Sequence, residues 1–252
     1  MKQRVLTALV LAPVVLGALF LASPWPIRVL AALAAFISCY EISGLTGKSS
    51  YLAGVFGALA LLLIPTGLPV LPSILAVWVL FALGIFGATR KWAFLAVFWA
   101  IAPLYCLLQL HDVVTTSVWQ FATPVLLAIV PLWGGDTAAI FAGKAFGKHL
   151  LAPTISPKKT VEGSIANLIA CVIVGVALSL GIGTGWPVGV ACGFAAGTLG
   201  QAGDLFESYI KRQADVKDSG TLLPGHGGLL DRIDSILFTA PAVLLIIFGL
   251  SR

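Results

Sequence analysis

Long apolar runs dominate the chain, broken at intervals by Pro, Gly and short clusters of charge. Nine of these runs approach the ~20 residues that an α-helix needs to cross a bilayer. They fall at 5–22, 27–45, 51–64, 69–88, 92–110, 118–133, 164–182, 187–203 and 235–250. Internal Pro and Gly residues are compatible with such helices, because neighbouring helices satisfy the freed backbone groups. The first run follows Lys2 and Arg4 like a signal peptide, yet it exceeds the usual ~7–15-residue apolar region, and Pro24 follows its only small-residue cleavage candidate. It is expected to remain as an uncleaved helix. The pattern predicts an all-α, polytopic integral membrane protein of about nine transmembrane helices.

Composition agrees with the pattern and excludes other classes. Of 252 residues 59% are hydrophobic and only 10% charged, where a soluble domain is roughly a quarter charged. With a mean hydropathy of +1.04, the chain is neither a soluble globular domain, nor disordered, nor a nucleic-acid-binding module. Cys39, Cys106, Cys171 and Cys192 sit singly in apolar runs, which predicts buried free thiols rather than disulfides or ligands. His111, His149 and His226 form no ligand-spaced cluster.

The basic residues give the orientation. With nine alternating spans and a cytoplasmic N-terminus, 13 of the 15 Lys and Arg residues fall inside, and only Arg28 and Arg252 fall outside. That asymmetry satisfies the positive-inside rule independently of the hydropathy that defines the spans. The net charge of +5 is then a matter of topology and anionic membrane lipid, with no nucleic acid as partner.

The acids are unevenly placed. Eight of ten lie between Asp136 and Asp234, and the first 130 residues hold only Glu41 and Asp112. Two regions follow: 1–130, expected to supply packing and lipid-facing helices with little chemistry of their own, and 131–252, expected to be catalytic. The eight clustered acids are expected in loops or helix ends on the cytoplasmic side, where ionisable groups near membrane depth mark function.

Two polar blocks carry the candidate chemistry. The first, WGGDTAAIFAGKAFGKHLLAPTISPKKTVEGS at 133–164, sets Asp136 after two glycines at the end of a span. Lys144 and Lys148 would share a face on a helix. Ser156, Lys158, Lys159, Thr160 and Glu162 form a Gly-bounded loop whose ammonium and hydroxyl donors suit phosphate oxygens. A solvated basic loop would explain these lysines, but not Asp136 and Glu162 among them. The second block, GDLFESYIKRQADVKDSGTLLPGHGGLLDRIDS at 203–235, places Asp204, Glu207, Ser208 and Lys211 on one helical stripe. Asp231, Asp234 and Ser235 make a second stripe, and KDSGTLLPGHGG lies between them. Facing carboxylate helices would offer a hard-oxygen site for Mg²⁺. Lys211, Arg212, Lys217 and Arg232 would hold phosphate. A salt-bridged hairpin is the bland alternative, yet it does not call for PGHGG between the carboxylates.

The run S-Y-I-K-R-x4-K-D-S-G-x2-L-P-G-H-G-G-L-x-D-R-I-D at 208–234 resembles the signature of phosphatidate cytidylyltransferases (CDP-diacylglycerol synthases), with no departure from it across 27 positions. GGDTAA, FGKH and SPKKTVEG resemble that family's upstream motifs, with Ile140 standing where an aromatic is expected. The resemblance covers about 100 residues, 133–235, and is only hydropathic before them. It implies transfer of CMP from CTP to phosphatidate, giving CDP-diacylglycerol and pyrophosphate, at the cytoplasmic face of a bacterial-type inner membrane. It also implies Mg²⁺ dependence, a second, monovalent cation such as K⁺, and a homodimer.

Roles are carried over by matching positions. Asp204 and Asp231 are the expected metal ligands, with Asp234 and Asp218 as further candidates. Lys211 and Arg232 stand with them at the catalytic centre, and with Arg212 and Lys217 they clamp phosphates. Ser156, Lys158, Lys159 and Thr160 form a second phosphate-binding loop, while Ser208, Gly225, Gly227 and Gly228 approach the substrates. His226 is expected to donate to phosphate or to position the loop, since an ionised phosphate nucleophile needs no strong base. Three rival functions predict other patterns. A transporter predicts mid-span charges and a repeat between halves, and neither is apparent. CDP-alcohol phosphotransferases need DGxxAR followed by GxxxDxxxD, which is absent. A CTP-dependent lipid kinase would use similar groups and is set aside only by the signature.

Overall fold

The computed structural model describes residues 17–18, 25–45, 47, 50–65, 97–113, 123–222 and 227–250. The chain divides into two compact units, Met1–Asp112 with Gln213–Ile233, and Val113–Arg212 with Asp234–Arg252. Four described helices are long and apolar enough to cross a membrane: Trp25–Leu45, Val125–Phe146, Val161–Ile182 and Leu230–Leu250. The chain is a helical membrane protein. Two expected spans, 5–22 (apart from residues 17 and 18) and 69–88, lie outside the described residues.

In the first unit, α1 (Trp25–Leu45) packs along α2 (Tyr51–Leu63). Small residues make this approach possible: a Cβ on Gly54 would meet the Phe36 carbonyl at 2.8 Å, and one on Gly57 the Cys39 sulfur at 2.8 Å. Such close backbone contact is the usual substitute for a hydrophobic driving force between helices in lipid. Ser43 Oγ accepts from the Ser50 amide at 2.7 Å, and Ser50 Oγ in turn caps α2 through the Ala53 amide. A π-helical turn at Val97–Ile101 leads into α3 (Ala102–Asp112), whose Tyr105 hydroxyl donates to the Pro65 carbonyl at 2.9 Å.

The second unit is built on α4 (Val125–Phe146) and α5 (Val161–Ile182), joined by a hairpin of β1 (Leu150–Ala152) and β2 (Ser156–Thr160). α6 (Trp186–Ala195) runs through a π-helical turn, Ala196–Gly200, into α7 (Gln201–Gln213). The final helix, α8 (Leu230–Leu250), begins in the first unit and continues in the second. The buried face of α5 repeats every four residues as Gly163, Asn167, Cys171, Gly175 and Ser179, while Ile165, Ile169 and Ile173 point outward. A Cβ on Gly175 would meet the Gly189 carbonyl at 2.6 Å, so α5 and α6 touch backbone to backbone. Gly183, at φ 85°, ends α5 in the left-handed conformation that glycine tolerates. All four cysteines are free and buried, as their apolar settings predicted.

Several expectations are corrected. The run expected at 118–133 is displaced: α4 continues to Phe146, so Asp136 lies inside the helix rather than at a span end. Hydropathy ends a span at its first carboxylate, but a helix keeps that residue when the side chain faces a polar cavity. SPKKTVEG is strand β2 followed by the first turn of α5, and not a loop; this hairpin adds a little strand to the expected all-α fold. Lys144 and Lys148 do not share a helix face, because α4 stops before Lys148. The segment expected at 187–203 continues as helix to Gln213, carrying the polar stripe with it.

Candidate active site

The second unit contains a cavity of about 620 Å³ that is partly open. Asp136 and Lys144 reach it from α4, Lys158, Lys159 and Thr160 from β2, Ser164 and Asn167 from α5, and Gln201 and Asp204 from α7. Leu132, Ala139, Ile140 and Leu151 supply apolar wall. Four helices, α8 through Ser235 among them, and both strands of the hairpin therefore line it.

The hairpin places the lysines. Thr160 Oγ1 accepts from the Gly163 amide at 3.1 Å and so caps α5 directly after the strand. Glu162, in the first turn, accepts from the amides of Lys148 and His149 and lies 2.7 Å from His149 Nδ1. Glu162 thereby fastens the start of the hairpin to the helix that ends it, which explains an acid among these lysines. Lys159 Nζ then lies 2.7 Å from Asp204 Oδ2.

A polar network supports the carboxylates. Asn167 Nδ2 donates to Asp136 Oδ1 at 3.2 Å. Gln201 Nε2 donates to the Ser164 carbonyl at 3.1 Å, to Asn167 Oδ1 at 3.3 Å, and to the Gly197 carbonyl at the π-helical turn. Ser164 Oγ donates to Gln201 Oε1. Orphaned amides at membrane depth are expensive, and here they bond one another and hold Asp136 in place. Asp136 stands within reach of the charges of both Asp204 and Lys159.

The stripe on α7 forms as expected. Ser208 Oγ donates to Asp204 Oδ1 at 3.4 Å, and Lys211 pairs with the buried Glu207 at 3.0 Å. Asp234, at the second unit's end of the division within α8, accepts from the Ser235 amide and lies within reach of the charges of Asp204 and Lys211. Ser156 opens β2 opposite Ala152, and Arg212 lies one turn beyond Ser208 on α7.

The remaining predicted residues belong to the first unit. Asp231 accepts from the Ser219 amide through Oδ1 and Oδ2 at 3.2 and 3.0 Å, and from the Gly228 amide at 2.8 Å. Gly227 has φ 85°, and a Cβ there would meet Asp231 Oδ2 at 2.7 Å and Asp218 Cβ at 3.3 Å. Glycine is needed at this position on both counts. Lys217 lies on the same stretch of loop, and Arg232 follows Asp231 in the first turn of α8. Gly225 and His226 lie outside the described residues. The sequence marked Asp136 as unexplained by a basic loop but gave it no role, and it missed Asn167 and Gln201, for which isolated amides inside apolar runs were the available signal.

Among the described residues, no group of three or more His, Cys, Asp or Glu side chains forms a ready metal cage. The donors at the cavity, Asp136 and Asp204, are hard oxygens. Mg²⁺ is commonly held by one or two carboxylates with substrate phosphates and water completing the shell, so this donor set fits it.

Known proteins share the pattern. The model of the cytidylyltransferase family matches residues 2–250. A phosphatidate cytidylyltransferase of Staphylococcus haemolyticus is 33% identical over 257 residues, covering 96% of each chain. One from Staphylococcus aureus (strain COL) is 45% identical over 119 residues, 46% of each chain. Phosphatidate cytidylyltransferase 5, chloroplastic, of Arabidopsis thaliana is 46% identical over 119 residues, 46% of this chain and 29% of that one. The latter two matches thus span less than half the length of those curated relatives. Matched from residue 2 to residue 250, with a relative aligned along nearly its whole length, the chain belongs to the cytidylyltransferase family.

Proposed function

We propose that this chain transfers CMP from CTP to phosphatidate, releasing pyrophosphate and leaving CDP-diacylglycerol in the membrane. The observation that carries the reading is the cavity of the second unit. Its wall is apolar, while Lys144, Lys158 and Lys159 bring cations to the carboxylates Asp136 and Asp204. A lipid substrate suits the apolar wall, and a soluble triphosphate suits the cations.

The step is a nucleotidyl transfer. A non-bridging phosphate oxygen of phosphatidate attacks the α-phosphorus of CTP, the bond from the α-phosphorus to the bridging oxygen breaks, and pyrophosphate leaves with its electron pair. The nucleophile is already ionised, so no proton need be removed. The main barrier is repulsion between two polyanions and charge growing on the leaving group. Lys158 and Lys159 offset that charge from β2, and Lys144 from α4. Asp136 and Asp204 would hold Mg²⁺, with Asn167 and Gln201 keeping Asp136 oriented. Bound there, the metal would supply charge neutralisation on the phosphates. On the resemblance alone, Asp231, Asp234 and Asp218 are further candidate ligands, Lys211, Arg212, Lys217, Arg232, Ser208 and Ser156 candidate phosphate contacts, and His226 a donor in the loop, while within the first unit Asp231 is engaged by backbone amides.

Topology and assembly belong to the same proposal. Nine spans with a cytoplasmic N-terminus and the polar segments inside rest on the distribution of 13 basic residues against two. A bacterial-type inner membrane, a K⁺ requirement and a homodimer rest on the resemblance. The test uses detergent-solubilised protein with phosphatidate, Mg²⁺ and CTP labelled separately at its α- and γ-phosphates. Label from the α position is expected in lipid, with γ label leaving as pyrophosphate. Label from the γ position in lipid would replace this reading with a lipid kinase.

A further inference from the structure

α1 contains one carboxylate, Glu41, and it is 4% exposed. A buried carboxylate among apolar helices is costly unless donors surround it. The donors here come from the other end of the chain. Glu41 Oε1 accepts from the Leu229 amide at 3.0 Å, and Oε2 accepts from the Leu230 amide at 2.8 Å and the Ser219 hydroxyl at 3.3 Å. Leu230 is the first residue of α8, so Glu41 caps a helix 189 positions away in sequence and places negative charge at its positive end.

The loop is cut to fit this side chain. A Cβ on Gly220 would lie 2.6 Å from Glu41 Oε1, and one on Gly228 would lie 2.7 Å from the same atom and closer still to Ser219 Oγ. Gly220 thus leaves space for a residue outside the signature, and Gly228 leaves space for that residue together with the Ser219 hydroxyl that it accepts from. Asp231 takes the amides of Ser219 and Gly228, and Glu41 takes those of Leu229 and Leu230. Ser219 is held by both carboxylates, through its amide by Asp231 and through its hydroxyl by Glu41. Between them they fix the backbone from which Lys217, Asp218 and Arg232 project.

We propose that Glu41 is a positioning residue: from α1 it sets the backbone of the signature loop, and through that backbone the side chains that meet substrate phosphate. The catalytic part of this proposal rests on the function proposed above, whereas the anchoring part does not. Both are tested on the full chain in lipid nanodiscs with E41A, E41Q and G228A. Amide exchange in peptides spanning 217–230 is measured beside CMP transfer.

In E41A the amides of Leu229 and Leu230 are expected to exchange at least about tenfold faster, because their acceptor is gone. Activity is expected to fall on the order of tenfold to a hundredfold in kcat/KM, with KM for CTP raised. Mere loss of folded protein would lower kcat alone. E41Q keeps an acceptor oxygen and should recover part of both losses. G228A leaves the charge but crowds it, and should shift KM in the same direction, which keeps the test decisive if E41A does not fold. Unchanged exchange in E41A and E41Q, or an unchanged KM in all three variants, overturns the proposal. If wild-type protein transfers no CMP while the exchange still rises, the proposed function fails and the anchoring role stands.

Discussion

The two units use carboxylates in opposite ways. In the first, Asp231 and Glu41 are enclosed by backbone amides, and glycines make room for their oxygens. In the second, Asp136 and Asp204 border a cavity, meeting one amide side chain, one hydroxyl and one lysine. A carboxylate surrounded by fixed amides shapes a chain. One that meets a single lysine at the border of a cavity retains capacity for a cation or a charged substrate. The residue type is the same, and the neighbours decide its work.

The sharpest way to break this contrast is to neutralise the cavity pair. D204N and D136N are each expected to lower CMP transfer by more than about a hundredfold, the scale of losing a preorganised charge contact. Thermal stability should change little, since neither side chain anchors backbone. The labelled-CTP assay beside a melting curve checks this, and near-normal turnover in either variant would end the metal assignment.

D231N sharpens the contrast from the other side. Asparagine retains one acceptor oxygen against amides that the aspartate held with two, so stability and activity should fall together. The expected cost is about 1–3 kcal/mol in stability, typical of a buried group left short of partners. A D231N protein that loses activity with no change in melting would move Asp231 to the cavity's class.

The smallest effect is expected from H149A. His149 is 76% exposed on its side-chain surface and pairs with Glu162 at 2.7 Å, while the backbone amides of Lys148 and His149 continue to hold that carboxylate. An exposed pair contributes ~0–1 kcal/mol. Turnover should stay close to wild type; a large loss would make the imidazole part of the phosphate site.

Much of this was legible beforehand. The stripe of Asp204, Ser208 and Lys211 follows from helical spacing, and it forms on α7 as read. Lys158, Lys159 and Thr160 stand together in one short motif, and all three line the cavity. Hydropathy misplaced Asp136, because a window average treats a charge as a boundary whichever way it faces. It also assigned little chemistry to the region of Glu41, since one acid in an apolar helix has no local pattern to mark it.

The sequence by itself determined the class of molecule, the family signature, and a concentration of cations and carboxylates suited to phosphate chemistry. These are properties of composition and of spacing within about one helical turn or one short motif. Only the tertiary structure decided which acids face the cavity and which hold the backbone. The bonds that make the difference join Asn167 to Asp136 across 31 residues and Leu230 to Glu41 across 189. At such separations the chain's local preferences carry no information about the partner, and packing alone brings the donor to its acceptor.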